Sequence, residues 1–232
     1  MIDIHTHILP FVDDGSFDKN LSLDMLQECV NQGVTDVFLT PHYRKLYKLP
    51  TNVLRSEFEK FNSVVTSYNI PINLYLGQEI YIDDNYKQAF ASKKILTMND
   101  SKFVLIEFGF DSEEDMADVV YEIKMFGYTP IVAHYERYSN SDIETAFEIK
   151  ALGGFIQINA DSLVGKSKRR YLKLIKRLFN ENLVDFVASD VHHDRENHLL
   201  LAKQFVQKKF GEETANRVFT LNAKKLLKVR DI

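Results

Sequence analysis

Ile2-Asp3-Ile4-His5-Thr6-His7-Ile8, with Asp13-Asp14-Gly15 a short way on, is the stretch whose reading decides the fold. Side chains alternate across a strand, so Asp3, His5 and His7 share one face and Ile2, Ile4 and Ile8 take the other. Two imidazoles aimed at one point inside a protein need a partner for their nitrogens, and a divalent cation satisfies them well. The acidic turn at 13–15 brings a carboxylate back to the strand end. A His-x-His strand with a nearby Asp is half of a metal site, and the rest of the chain must close it.

Working outward, the 232 residues are enough for one large core. Hydrophobic residues at 45% and charged residues at 27% describe an ordinary globular protein. A net charge of −4 argues against non-specific nucleic-acid binding, which needs a basic surface. The lone Cys29 excludes an internal disulfide framework and fits a reducing cytoplasm. It sits among Leu26, Val30 and Gly33 in a helical pattern and reads as a buried core thiol. A thiolate phosphatase needs Arg six residues after its Cys, and here that position is Thr35. No basic leader with an apolar run and no long apolar stretch is present, so neither secretion nor a membrane span is expected.

Helical and strand patterns alternate along the whole chain. Strands are predicted at 2–8, 34–40, 72–79, 103–107, 131–134, 155–159 and 184–190. Helices are predicted at 18–32, 52–68, 84–92, 113–126, 141–152, 167–180, 196–210 and 213–228. No linker divides them, so one domain over 1–232 is expected. Strict alternation favours an α/β fold with a parallel sheet closed into a (β/α)7 barrel. An open doubly wound sheet is the runner-up, but the turn after the first strand is acidic rather than glycine-rich.

Barrel chemistry lies at the C-terminal strand ends. Those ends carry His5 and His7, then His42, Glu79, Glu107, His134, Asn159 and Asp190, with His192 two residues on. Singly, each is an unremarkable polar residue; gathered at one mouth, unpaired imidazoles and carboxylates would desolvate and repel one another. Metal binding resolves that conflict. Nine candidates, namely these ends without Asn159 and with Asp14 and His192, exceed the needs of one ion, so two or three are expected. Imidazole and carboxylate without thiolate suit Mn²⁺, Fe²⁺ or Zn²⁺.

Taken in order, Asp3-Ile4-His5-Thr6-His7, Asp13-Asp14-Gly15, Pro41-His42, Gly77-Gln78-Glu79-Ile80-Tyr81, Leu105-Ile106-Glu107-Phe108, Ala133-His134-Tyr135-Glu136-Arg137-Tyr138 and Ala188-Ser189-Asp190-Val191-His192 resemble the polymerase and histidinol phosphatase (PHP) superfamily. Within it they are most similar to the bacterial tyrosine-protein phosphatases of capsular and exopolysaccharide synthesis. The resemblance implies a distorted, TIM-like (β/α)7 barrel with a trinuclear, usually manganese, centre. It implies that His5, His7, Glu79 and Asp190 hold one ion, and that Glu79 bridges to a second held by Glu107 and His134. Asp14, His42 and His192 then hold the third, and Arg137 and Arg195 bind phosphate.

The activity so implied is hydrolysis of phosphotyrosine by a metal-bridged hydroxide, without a phospho-enzyme and, since phenolate leaves readily, with no general acid assigned. The partner so implied is a tyrosine-phosphorylated protein, the tail of a bacterial tyrosine kinase; a homo-oligomer is compatible with it. From the residues alone, the loops Tyr43-Arg44-Lys45-Leu46-Tyr47-Lys48 and Lys166-Ser167-Lys168-Arg169-Arg170 offer basic and aromatic groups to an anionic substrate, and solvated loop positions explain them as well. The rivals are a small-molecule phosphomonoesterase acting on a substrate such as histidinol phosphate, a metal-dependent amidohydrolase, and a phosphate-binding module without turnover. The amidohydrolase generally wants a strand-four lysine, where this chain has Glu107.

Overall fold

The computed structural model describes residues 1–228; the expected domain over 1–232 extends into 229–232, outside the described residues. In chain order the elements are β1 (Ile2–Thr6), α1 (Lys19–Asn31), β2 (Asp36–Leu39), β3 (His42–Tyr43), α2 (Thr51–Ser67), β4 (Asn73–Leu76), β5 (Glu79–Tyr81), α3 (Tyr86–Ala91), β6 (Phe103–Glu107), α4 (Met116–Met125), β7 (Thr129–Val132), α5 (Ile143–Ala151), β8 (Phe155–Asn159), α6 (Ala160–Leu163), α7 (Arg169–Asn180), β9 (Phe186–Ala188), α8 (Leu199–Phe210) and α9 (Glu212–Asn216).

Among the described residues there are nine strands where the alternation predicts seven, because the third predicted strand is cut in two and a short further strand, β3, follows the second beyond its predicted end at 40. Pro41 has no N–H to give a ladder. Its neighbour is interrupted at the same level by Gly77-Gln78, so Leu39 opposite Leu76 ends one sheet and His42 opposite Glu79 begins the next. Every pairing is parallel, in the orders β1-β2-β4 and β3-β5-β6-β7-β8-β9. The assigned ladders are thus two parallel sheets and do not by themselves draw the closed barrel. Single bonds cross the cut, from Gly77 N to Leu39 O at 2.9 Å and from Glu79 N to Pro41 O at 3.1 Å. Two more tie the end of β1 to the segment after β9, from Asp190 N to His5 O at 2.9 Å and from His7 N to Val191 O at 3.0 Å.

Strand residues divide by parity between two apolar clusters. Phe38, Leu105, Ile131 and Phe186 join Ile2 and Ile4 in a small cluster drawn from both sheets. Their neighbours Val37, Val104, Ile106, Val132 and Val187 face a larger one with the helix residues Leu26, Val120, Ile149, Ile175 and Val206. Two-residue alternation then leaves Glu107, after Phe103 and Leu105, on the side of the small cluster.

Helices begin where short acidic side chains cap them. Asp18 accepts from Asn20 N and Leu21 N, Asp115 from Ala117 N and Asp118 N, and Asp142 from Thr145 N. The predicted helix at 213–228 instead breaks after α9 into a π turn, Arg217–Leu221, and a 3-10 turn, Ala223–Lys225. The cause is anchoring: Arg217 Nη1 donates to Val184 O at 2.9 Å and Asn222 Nδ2 to Asp185 O at 3.0 Å, which holds this segment against the approach to β9. Among the described residues no helix is long and apolar enough to cross a membrane.

Asp185 itself joins β8, β9 and α5. Both of its oxygens lie 2.6 Å from Lys150 Nζ, and one accepts from Ile156 N at 2.9 Å. Replacing it strands the buried Ile156 N–H, while Lys150 can still turn to water. Asp185→Ala is expected to lower stability by about 1–3 kcal/mol, read as a reduced denaturant midpoint at unchanged slope.

Candidate metal centre

All nine predicted ligands meet at one mouth of the fold, although several lie just beyond the strands that deliver them. His5 is within β1, His42 opens β3, Glu79 opens β5 and Glu107 ends β6. His7 and His192 follow β1 and β9, while His134 and Asp190 follow β7 and β9 in left-handed backbone, at φ 32° and φ 52°. Such conformations cost of order 1 kcal/mol or more for a non-glycine residue and here turn two side chains into the site.

The imidazoles are oriented from behind. His7 Nδ1 lies 2.6 Å from Asp13 Oδ2, His5 Nδ1 lies 3.1 Å from Gln157 Oε1, and His192 Nδ1 lies 3.1 Å from Asp190 O. Gln157 Oε1 also accepts from His134 N at 2.9 Å, while its amide donates to Asn159 Oδ1 at 2.8 Å, which fixes its orientation. Each Nδ1–H is thereby held from behind and each Nε2 faces inward; burial works against a second proton on His5 and His7, but Glu79 and Asp190 at His5, and Asp13 and Glu79 at His7, outweigh it and raise both. His5 Nε2 and His7 Nε2 face each other at 3.2 Å. Asp190 Oδ1 lies 3.6 Å and 3.7 Å from them, and the two Glu79 oxygens lie 3.2 Å and 3.3 Å away.

Three overlapping groups present ligand atoms within 4.8 Å of one another: His5, His7 and Asp190; His42, Glu79 and Glu107; and His7, Asp14, His42 and His192. The resemblance divides them differently, since here His7 and His42 each fall between two groups. His134 joins through Nε2, 3.0 Å from Glu79 Oε1 and 3.7 Å from Glu107 Oε1. Glu79 Oε2, Glu107 Oε2 and His42 Nδ1 are buried without a hydrogen-bond partner, although His42 Nδ1 and Glu79 Oε2 lie only 2.8 Å apart. Unpaired buried carboxylate oxygens beside bare imidazole nitrogens fit a cation donor set, with no thiolate among them.

Protonation follows from the crowding. Burial, reinforced by Glu79 and Asp190, pushes the Glu107 carboxyl up to about 9. Burial opposes ionisation at Asp190 too, but His5 and His134 outweigh it and hold that carboxyl below its usual range. Burial and the neighbouring His7 bring His192 down to about 4.

Both predicted phosphate arginines reach the mouth. Arg137 Nη1 and Arg195 Nη1 lie 3.0 Å and 3.2 Å from Asp190 Oδ2, which also accepts from Asn159 Nδ2 at 2.8 Å. Three donors on Oδ2 leave Oδ1 to the histidines. Arg137 also lies 4.5 Å over the Phe110 ring. With Arg44, Phe110 and the ligands, the two arginines line a cavity of about 120 Å³ over the cluster.

Several contributors escape a reading by strand ends. Asp13, beside the predicted Asp14, accepts from Gly15 N at 3.0 Å and His42 N at 3.1 Å besides holding His7. A Cβ on Gly15 would lie 2.0 Å from His7 O, so only glycine permits that approach. Arg44 Nη2 pairs with Asp14 Oδ2 at 2.5 Å. Asp3 shares the parity of His5 but stays outside the cluster; its Oδ1 accepts from Ser189 N at 3.0 Å. The Asp13-Asp14-Gly15 turn was the one signal pointing to Asp13.

Comparison with known proteins gives this arrangement its class, that of a metal-dependent phosphatase. A family profile described as "Capsular polysaccharide synthesis, CpsB/CapC" matches residues 1–228, and the chain belongs to that family. It is 35% identical to the tyrosine-protein phosphatase YwqE of Bacillus subtilis (strain 168), over 100% of this chain and 93% of that protein. It is 31% identical to the tyrosine-protein phosphatase CpsB of Streptococcus pneumoniae, over 98% of each. The solved YwqE and CpsB structures, described as unique metal-dependent tyrosine phosphatases, include a chain that matches with a TM-score of 0.91 at 34% identity, covering 100% of this chain and 96% of that one. A Lactococcus lactis histidinol phosphate phosphatase shares the fold, with a TM-score of 0.58 at 14% identity over 92% of this chain and 94% of that one.

Asp13→Ala removes the acceptor behind His7 and frees the 13–15 turn. Divalent-ion affinity is expected to fall about 10- to 100-fold with the fold intact, measured by metal titration alongside circular dichroism.

Proposed function

We propose that this chain hydrolyses phosphotyrosine in proteins with three divalent ions, manganese first and iron or zinc as alternatives. His5, His7, Glu79 and Asp190 would hold the first ion, Glu79, Glu107 and His134 the second, and Asp14, His42 and His192 the third. The observation that carries this is the facing pair of Nε2 atoms on His5 and His7, with Asp190 Oδ1 and Glu79 beside them. When bound, the ions supply Lewis acidity toward phosphoryl oxygens and a water acidic enough to react at neutral pH.

The chain's own groups do the rest. Arg137 and Arg195 present guanidinium donors to phosphoryl oxygens and are held by Asp190 while they wait. Gln157, Asp13 and the Asp190 carbonyl hold Nδ1 of His5, His7 and His192 from behind, which leaves Nε2 as the nitrogen that faces the site. A phenolate leaves without a proton, so no general acid is required of the site.

The two sheets are read as one distorted seven-stranded barrel, supported by the bonds that cross the cut at Pro41 and those joining β1 to the residues after β9. One domain over 1–232 is supported by the absence of any linker among the described residues. The family supports a tyrosine kinase of capsule or exopolysaccharide synthesis as the dephosphorylated partner, and the single cysteine supports a cytoplasmic setting.

His5→Ala and Asp190→Ala are each expected to reduce turnover of a phosphotyrosine peptide to background while the thermal unfolding transition persists. Chelation is expected to do the same to the wild type, and added Mn²⁺ to restore it. Full activity in either variant refutes the site assignment, and preference for histidinol phosphate over the peptide refutes the substrate class.

A further inference from the structure

Beside the metal-site cavity lies a larger cleft of about 520 Å³, and Phe110, Arg137 and Arg195 line both. A substrate whose phosphoryl group lay at the shared Arg137 and Arg195 would have this cleft beside it for its remainder. Phe110, 43% exposed and already faced by Arg137, offers a ring platform beside the cavity.

The far wall is the start of α7, where Lys168 and Arg170 are exposed over Tyr171, at 5.9 Å and 5.1 Å from its ring. Neither has a carboxylate partner among the described residues, whereas Arg137 and Arg195 are both paired with Asp190. Arg170 is further steadied by a 3.4 Å bond to Arg137 O, which ties the far wall to the phosphate-binding arginine. Asp111 and Asp161 also line the cleft, and Asp161 is held by His198 Nδ1 at 2.7 Å. Two unpaired cations on an aromatic base, one cleft away from the reacting phosphate, match a carboxylate carried near the phosphotyrosine.

We propose that Lys168 and Arg170 are specificity-determining residues that read acidic side chains flanking the phosphotyrosine of a protein substrate. The proposal rests on the phosphotyrosine reading above and adds sequence context to it. Substrate arrives with its phosphate under Arg137 and Arg195 and a neighbouring Asp or Glu over Tyr171. A lysine in that position meets like charge and is disfavoured.

The test uses three phosphotyrosine peptides of equal length, flanked by Glu, Gln or Lys, with the manganese-loaded full chain. Both kcat/KM and peptide binding by fluorescence anisotropy are measured, for wild type and for the Lys168→Glu/Arg170→Glu variant. In the wild type the Glu peptide is expected to exceed the Gln peptide by roughly three- to tenfold, mostly through KM, as one or two exposed ion pairs supply. The order Glu, Gln, Lys is expected to invert in the variant and to flatten in high salt. A parallel drop on all three peptides is the mark of a merely structural role and overturns the proposal, as does a flat order in wild type. Peptides that bind in charge order but are not hydrolysed refute the phosphatase reading and leave the cleft assignment standing. Peptides hydrolysed without charge order do the reverse, and peptides neither bound nor hydrolysed refute both.

Discussion

Two imidazole nitrogens, Nε2 of His5 and Nε2 of His7, face each other across 3.2 Å of buried space. Such a pair is repulsive unless positive charge lies between or beside it, as a proton or as a metal ion. The neighbouring carboxylates of Glu79 and Asp190 favour either one, since they raise the imidazoles' hold on a proton and offer oxygens to a cation. The rest of the mouth follows from keeping that pair in place. Asp13 and Gln157 act from behind, β1 is bonded to the segment after β9, and the backbone of Gly15 closes against His7.

Much of this was legible in the sequence, for a reason specific to parallel α/β chains. Their strands all point one way, so a polar residue at the end of an apolar run arrives at the same mouth as every other. That reasoning finds Glu79, Glu107 and Asp190 with no knowledge of how the strands pair. It does not find Gln157, a mid-strand amide whose partners are His5, 152 residues away, and the backbone of His134. Nor does it separate Asp13 from Asp14, which differ only in which way the turn aims each carboxylate. The cuts at Pro41 and Gly77-Gln78 were hidden similarly: a proline marks a possible break, but whether its neighbour breaks at the same level depends on register between strands far apart in sequence.

Asp190 carries two duties on its two oxygens. Oδ2 collects Arg137, Arg195 and Asn159, while Oδ1 faces the histidines. One carboxylate thus couples the two guanidinium groups to the imidazoles, and displacement of either arginine alters the charge felt by His5 and His7. The left-handed backbone at Asp190 is part of that arrangement, because it directs the side chain inward just after the 2.9 Å bond from its N–H to His5 O. Strain at that residue is offset by hydrogen bonds made on both sides of it.

Ligands drawn from β1, β3, β5 and β6 and from the segments after β7 and β9 also make the centre a global feature of the fold. No single helix–strand unit holds a complete set, so the unfolded chain offers no comparable site, and ions that bind the native state stabilise the whole by mass action. The same groups also crowd one another. Glu107 retains its proton up to about 9, and Glu79 and Glu107 each leave a buried oxygen unpaired. Gathering these groups at one mouth costs stability, and a proton held by Glu107 or a cation bound among them each offsets part of that cost.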